Sequence, residues 1–292
     1  MANVKEKGND SKKDGALLRK RQAARIVAAI IVIIVLLGAI VASCYGLRQF
    51  LLLKNPHFIC RTLDYQPTPN FTTKRVKTIL EEMGEAKGCI LGHSNLLQVD
   101  IRAIREKLLS YPTVRYVKIS RIMPGTLKLE LKERIPFAIL SSGKTLDALI
   151  DNEGYPFPPS TANAGINGNL PVISNVKAVR KIPFGEQCNE PAIRAALAFL
   201  EQTATNMQIK GAEFTTVAIV LNYDLERLEA HITGVPGNKI FAKDTVICAP
   251  FDASVMENVM KNFYGIIARK IKDGETLSCA DLTVGKNVPT LK

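Results

Sequence analysis

Ile26 to Leu47 is a run of 22 residues without a charge, bounded by Arg25 and Arg48. At about 1.5 Å rise per residue it makes a helix of roughly 33 Å, enough to cross the hydrocarbon of a bilayer. A helix buried in a soluble protein carries a polar stripe, and this run has none. The pattern predicts a membrane helix over 26–47, and no second apolar run approaches its length. Beyond it the periods are those of ordinary folded structure. His57 to Leu63 reads as a strand, interrupted afterwards by Pro67 and Pro69. Thr72 or Thr73 caps a helix with Val76, Ile79, Leu80 and Met83 on one face, ended by Gly84 and Gly88. Asp100 caps a second, with Ile101, Ile104, Leu108 and Leu109 as its stripe, stopped by Pro112. Val114 to Arg121 and Thr126 to Arg134 read as strands. In the latter, Leu127, Leu129 and Leu131 alternate with Lys128, Glu130 and Lys132, giving one apolar and one solvated face. Pro124-Gly125 is a turn pair, so the two form a hairpin. Neither helix is long enough to be stable alone, so both must pack on the small sheet.

Further along, Phe137 to Leu140, Ala148 to Asp151, Gly154 to Phe157 and Leu170 to Ile173 read as short strands. A helix is predicted from about Glu190 to Thr203, with Ile193, Leu197 and Leu200 inward. Phe214 to Leu221 and Leu228 to Ile232 are strand-like. Ser254 to Lys270 reads as a longer helix with Met256, Val259, Met260, Phe263, Ile266 and Ile267 on one side. A last strand is expected to begin at Asp281-Leu282 and to continue through Val284 to Val288. The fold class is therefore α+β: a transmembrane helix, a small β-α-α-β-β unit over 55–134, and a mostly β domain with helices over 135–292.

Composition sharpens this picture. Of 292 residues, 47% are hydrophobic and 23% charged, which excludes wholesale disorder. The net charge of +12 is unevenly spread. Residues 1–48 hold nine Lys/Arg against three Asp/Glu, half of the whole excess. The mildly basic remainder argues only weakly for a nucleic-acid groove. Eight cations precede the apolar run, and Arg48, Lys54 and Arg61 follow it. The positive-inside rule then places the basic tail, 1–25, in the cytoplasm and the folded part outside. A competing reading is lipoprotein processing, since Val41-Ala42-Ser43-Cys44 loosely fits a cleavage box. The 25-residue basic region is long for a signal peptide, so a permanent anchor is preferred.

Candidate chemistry is sparse. His57, His93 and His231 are scattered, with no His-x-x-x-His spacing and no nucleophile elbow around them. Asp147, Asp151 and Glu153 lack the EF-hand pattern, and turn formation accounts for Asn152 and Gly154. Gly234 to Gly237 lacks the Gly-Lys-Ser/Thr ending of a phosphate loop. No catalytic, cofactor or metal site is expected. Six cysteines include no C-x-x-C pair, and the five beyond the apolar run are an odd number. A disulfide is possible in an oxidising compartment, and the spacing does not choose its partners.

Asn95-Leu96, Pro112 with Val114, Arg121 with Pro124, and Glu133-Arg134 with Pro136 surround or fall within a run from Val99 to Leu140. That run resembles a polypeptide-transport-associated (POTRA) domain, specifically that of the bacterial division family FtsQ/DivIB. One membrane helix directly before one such domain is also that family's layout. Asp151 to Phe157 and Leu170 to Ile173 resemble further family segments. Asp281-Leu282 matches its closing strand, where Thr283 and Val284 replace the usual Arg and Tyr. The resemblance implies a non-enzymatic bitopic scaffold of the inner membrane at the division septum, linking early and late division proteins and supporting septal peptidoglycan synthesis. Its implied partners are bitopic proteins of the FtsB and FtsL type, and through them FtsW and FtsI. Arg121, Arg134, Asp281, Leu282, Thr283 and Val284 are the candidate partner-binding residues. For Arg121 and Arg134 two roles stand open: anchoring a partner's carboxylate, or capping strand ends and pairing with Glu133 inside the domain, the latter preferred. Exposed sheet edges are the surfaces on which a partner strand can add. The alternative is a POTRA-bearing transport or outer-membrane assembly factor. Such proteins carry several of these domains before a β-barrel, and the two helices predicted in the last 150 or so residues argue against one.

Overall fold

The fold is described from a computed structural model, which covers residues 30–48, 55–143, 147–159, 170–177, 182–205 and 212–283. The first helix, α1 (Ile30–Arg48), has 19 residues and a mean hydropathy of 2.8, and none of its surface is buried. It is long and apolar enough to cross a membrane, and it falls within the apolar run except for Arg48. Residues 26–29 and the basic tail lie outside the described residues.

The chain then enters a small three-stranded sheet. Pro56–Phe58 forms a 3-10 turn capped by the Asn55 side chain, which accepts from the His57 N–H. This corrects the strand expected from His57. Proline fixes φ and lacks an N–H, so the chain turns here. Only Ile59 makes a bridge, to Asn95, and β1 (Thr62–Tyr65) starts later. In α2 (Thr73–Glu82), Thr72 caps the first turn and Val76, Ile79 and Leu80 are buried. Gly84 does end α2, but it also begins a further turn, α3 (Gly84–Lys87), with φ at 72°. At Gly88 a Cβ would sit 2.1 Å from the Leu80 carbonyl oxygen, so only glycine fits. In α4 (Ile101–Leu109), Asp100 accepts from the Arg102 and Ala103 N–H groups, and Ile104 and Leu108 turn inward. Leu109, expected on the same stripe, faces solvent. The hairpin follows as β2 (Val114–Ile122) and β3 (Thr126–Glu133), with Ile119 opposite Leu129. β1 pairs parallel with β3, giving the order β1-β3-β2. Phe71, Leu80, Leu96, Ile104, Leu108 and Leu127 form its core.

The second sheet has eight strands: β4 (Ala138–Leu140), β5 (Ala148–Ile150), β6 (Pro156–Phe157), β7 (Val172–Ser174), β8 (Phe214–Asn222), β9 (Arg227–Gly234), β10 (Phe241–Pro250) and β11 (Leu277–Asp281). Their order is β11-β10-β9-β8-β7-β4-β5-β6. β8, β9 and β10 form an antiparallel meander. Three neighbouring pairs are parallel and need crossovers; β4 returns to β7 by way of β5 and β6, and in the other two the crossover includes a helix. α5 (Pro191–Thr205) joins β7 to β8, and α6 (Met256–Asp273) joins β10 to β11. Both helices pack into one core with the sheet. All six apolar residues expected on one side of α6 are buried. α6 ends at Gly274, whose φ of 69° lets its N–H return to the Lys270 carbonyl. A small second cluster of Ile139, Leu149 and Phe157 forms beside Leu170 and Val172.

The last strand corrects an expectation. β11 ends at Asp281, where the strand was expected to begin. Leu277 is buried and its N–H donates to the Ile240 carbonyl, which starts the strand early. The Asp281 side chain then accepts from the Thr283 N–H and hydroxyl, closing a turn that ends the strand. Val284 and Val288 lie outside the described residues.

Candidate interaction surfaces

The candidate residues do not converge on one place. Arg121 sits opposite Leu127 near the hairpin turn, and Arg134 lies past the far end of β3, so the two are roughly 23 Å apart along the ladder. Arg121 donates to the Val99 carbonyl at 2.7 Å, fixing the end of β2 against the segment that leads into α4.

Arg134 is a buried tie between the two sheets. Its Nη1 lies 2.7 Å from Asp151 Oδ2, with 9% and 3% of the two side chains exposed. Its Nε donates to the Pro112 carbonyl, and its guanidinium lies 4.0 Å from the centre of the Tyr155 ring. Asp151 Oδ1 accepts from the Glu153 and Tyr155 N–H groups, so both carboxylate oxygens are used. This corrects the pairing of Arg134 with Glu133. Glu133 instead accepts from Thr68 and from the backbone and side-chain amides of Asn70. The junction continues outward with Arg115 and Glu153, 2.5 Å apart. Gly154, with φ at 88°, leaves room for Arg194, which reaches the Glu153 carbonyl.

The remaining candidates lie at a sheet edge. Among the described residues, β11 is bonded to β10 on one side only. The Leu282 N–H donates to the Cys248 carbonyl at 2.8 Å, so residue 282 faces β10. Successive residues of a strand point their backbone groups to opposite sides, so the N–H and C=O of Cys279 and Asp281 face the open edge. The Thr283 N–H is held by Asp281. Arg227 of β9 lies 3.0 Å from Glu229 on its own strand and reaches across β10 to within 3.8 Å of Asp281. Burial raises the Asp281 carboxyl, but the Thr283 hydroxyl and N–H together with Arg227 lower it further, and the net direction is down. Burial pushes the Cys248 thiol up to about 11, the opposite of what a nucleophile needs.

The other edges are less receptive. β6 has two residues, and the Gly185 N–H already donates to Pro156. β2 has no strand on its outer side among the described residues, but Arg115, Lys118 and Arg121 stand on it, the charges that discourage strand pairing. Among the described residues no group of three His, Cys, Asp or Glu side chains is arranged to hold a metal. His231 lies 3.0 Å from Asp244 at the surface.

Residues 76–134 match the family described as POTRA domain, FtsQ-type. The chain is similar to Cell division protein FtsQ of Rhizobium radiobacter, 38% identical over 72 residues, which is 25% of this chain and 34% of that one. It is 31% identical over 124 residues to Cell division protein FtsQ of Rickettsia bellii, covering 40% of this chain and 44% of the relative. For Cell division protein FtsQ of Corynebacterium glutamicum the identity is 31% over 114 residues, 37% of this chain and 50% of the relative. The chain thus spans a third to a half of the length of these curated relatives. The matched segment runs from within α2 through the hairpin to Arg134. Residues 76–134 thus form an FtsQ-type POTRA domain, and over that part of its length the chain is similar to proteins named cell division protein FtsQ.

Proposed function

We propose that the chain is a non-catalytic scaffold of the cell-division machinery, anchored by α1 with its N-terminal tail in the cytoplasm. Residues 55–134 and 135–292 are its two exported domains, and it acts at the division septum. The observation that carries this reading is an FtsQ-type POTRA domain following the one membrane-length apolar helix among the described residues, in a chain whose relatives are named cell division protein FtsQ. The charge asymmetry about that helix supports the orientation.

Recognition in this reading is by strand addition at β11. A partner strand takes up the open N–H and C=O groups of Cys279 and Asp281, and side chains beside the edge, Arg227 and Asp281 among them, select it. The partners are bitopic division proteins of the FtsB and FtsL type, and through them FtsW and FtsI. Arg121 and Arg134 act inside the molecule, as their buried or backbone partners suggest. A transport or barrel-assembly role is disfavoured by the second sheet, which is open and carries helices on its core face.

Depletion of the protein tests the reading. Cells that lose it are expected to keep growing as filaments without completed septa. Normal division at full depletion would contradict it.

A further inference from the structure

Two buried sulfurs of the POTRA domain are neighbours. Cys60 and Cys89 expose no surface and share one core with Leu80, Leu96 and Leu127. Cys60 stands two residues before β1, where the chain from the membrane enters the domain, and Cys89 follows α3. The backbone brings them together. The Cys60 N–H donates to the Ser94 carbonyl at 2.9 Å, and the Gly92 N–H donates to the Cys60 carbonyl at 2.8 Å. Ile59 also bridges Asn95, so the segment after Cys89 runs beside Cys60. At its other end the Cys89 N–H is tied to the Leu80 carbonyl of α2. The two thiols are close enough to bias each other's ionisation: Cys89 holds the Cys60 thiol below its ordinary value despite burial, and Cys60 together with burial pushes the Cys89 thiol up, as expected where one S–H stabilises the neighbouring thiolate.

The other described cysteines of the folded part lack such a pairing. Cys188 belongs to the second core. Cys248 and Cys279 lie on adjacent strands, but their partners are Asp281 and Val246. That diagonal is roughly 8 Å, beyond the reach of a disulfide.

We propose that Cys60 and Cys89 are a modification site, closed as an intramolecular disulfide once the domain is exported. The proposal rests on the exported orientation given above. The chemistry is thiol–disulfide exchange with an oxidised dithiol protein of that compartment. The Cys60 thiolate attacks one sulfur of the partner disulfide, forming a mixed disulfide and releasing the partner's other sulfur, which takes up a proton. Cys89 then loses its proton and attacks Cys60 Sγ. The Cys60–Cys89 bond forms and the partner's first sulfur leaves as a thiol. Two thiols become a disulfide, and one disulfide becomes two thiols. The exchange takes place while the exported chain is still folding, before the core closes over both sulfurs. The product closes a loop of roughly 30 residues. It ties the entry segment to the helix layer, where β1 has only four residues and any pull from the anchor enters the domain.

The test uses the full chain. Cells are lysed into denaturant with N-ethylmaleimide, and the protein is digested without reduction. A linked peptide pair holding Cys60 and Cys89, released by dithiothreitol, is the expected result. In detergent, reduction should shift the unfolding equilibrium by about a hundred-fold toward the unfolded state, a shift absent from the Cys60→Ala, Cys89→Ala double variant. Maleimide on both Cys60 and Cys89 before reduction overturns the proposal. Spheroplasts carrying Ile135→Cys, a position 75% exposed, are treated in parallel with a membrane-impermeant maleimide. Label at position 135 of the Ile135→Cys variant, together with alkylated Cys60 and Cys89, overturns the disulfide alone. Absence of label at that position overturns the orientation as well.

Discussion

Arg134 forms the most deeply buried ion pair among the described residues. Its pair with Asp151 is almost fully withdrawn from water, and Arg134 Nε and Asp151 Oδ1 hold further hydrogen bonds. Removing one side strands the other. Arg134→Ala is expected to cost about 3–5 kcal/mol, read from denaturant unfolding of the full chain in detergent. The Arg134→Ala, Asp151→Ala double variant should cost less than the sum of the two single changes. Strict additivity would show that the pair does not couple. At the other end of the chain the Asp281 carboxyl is held below its ordinary value of 3.8. A lowered folded value contributes stability at and above the ordinary range, and that contribution is lost as pH falls through the folded value. Exchange of the Thr283 amide, relative to its intrinsic rate, should therefore quicken below about pH 4, and Asp281→Asn should remove the pH dependence. What was legible at this scale was local. Thr72 and Asp100 were readable as caps because a cap lies within three residues of what it binds. Arg134 and Asp151 are 17 residues apart with no periodic relation, and adjacency in sequence pointed instead to Glu133.

Elements were legible where their burial is one-sided. The α6 stripe of Met256, Val259, Met260, Phe263, Ile266 and Ile267 was readable in full because the opposite face of that helix is wet. Phe263→Ala at its centre should cost about 3–5 kcal/mol, measured by the same unfolding. α5 buries Ala192, Ala195, Ala196 and Phe199 besides its expected Ile193, Leu197 and Leu200, so periodicity understated how deeply it sits. β10 left no signal to the eye. It is broken by an irregularity between Phe241 and Val246, and its buried run Ile247-Cys248-Ala249 does not alternate. β11 was placed too late because its buried Leu277 and Ala280 are interrupted by Ser278 and Cys279. Its proposed role as an acceptor edge separates two adjacent positions. Cys279→Pro removes an N–H from the open side, so partner capture should fall while the fold persists. Ala280→Pro removes an N–H that faces β10 and should destabilise the domain itself. Undiminished capture by a folded Cys279→Pro protein would exclude β11 as the docking edge.

At the scale of the whole molecule, the apolar helix and the POTRA domain were readable because each is written in contiguous residues. A charge-free run sets the first, and a strand, helix, helix, hairpin order sets the second. The order of the eight-stranded sheet was not readable. β4, β7 and β8 pair in parallel across intervals of dozens of residues, and no local pattern records which strand returns beside which. The functional reading likewise belongs to the assembled chain of anchor, FtsQ-type domain and open edge. Its most direct test is where the protein sits in dividing cells of the source organism, using a functional full-length chain with a fluorophore on its N-terminal tail. A division scaffold predicts a band at mid-cell that appears before constriction. Uniform signal around the cell periphery throughout the cycle would contradict it.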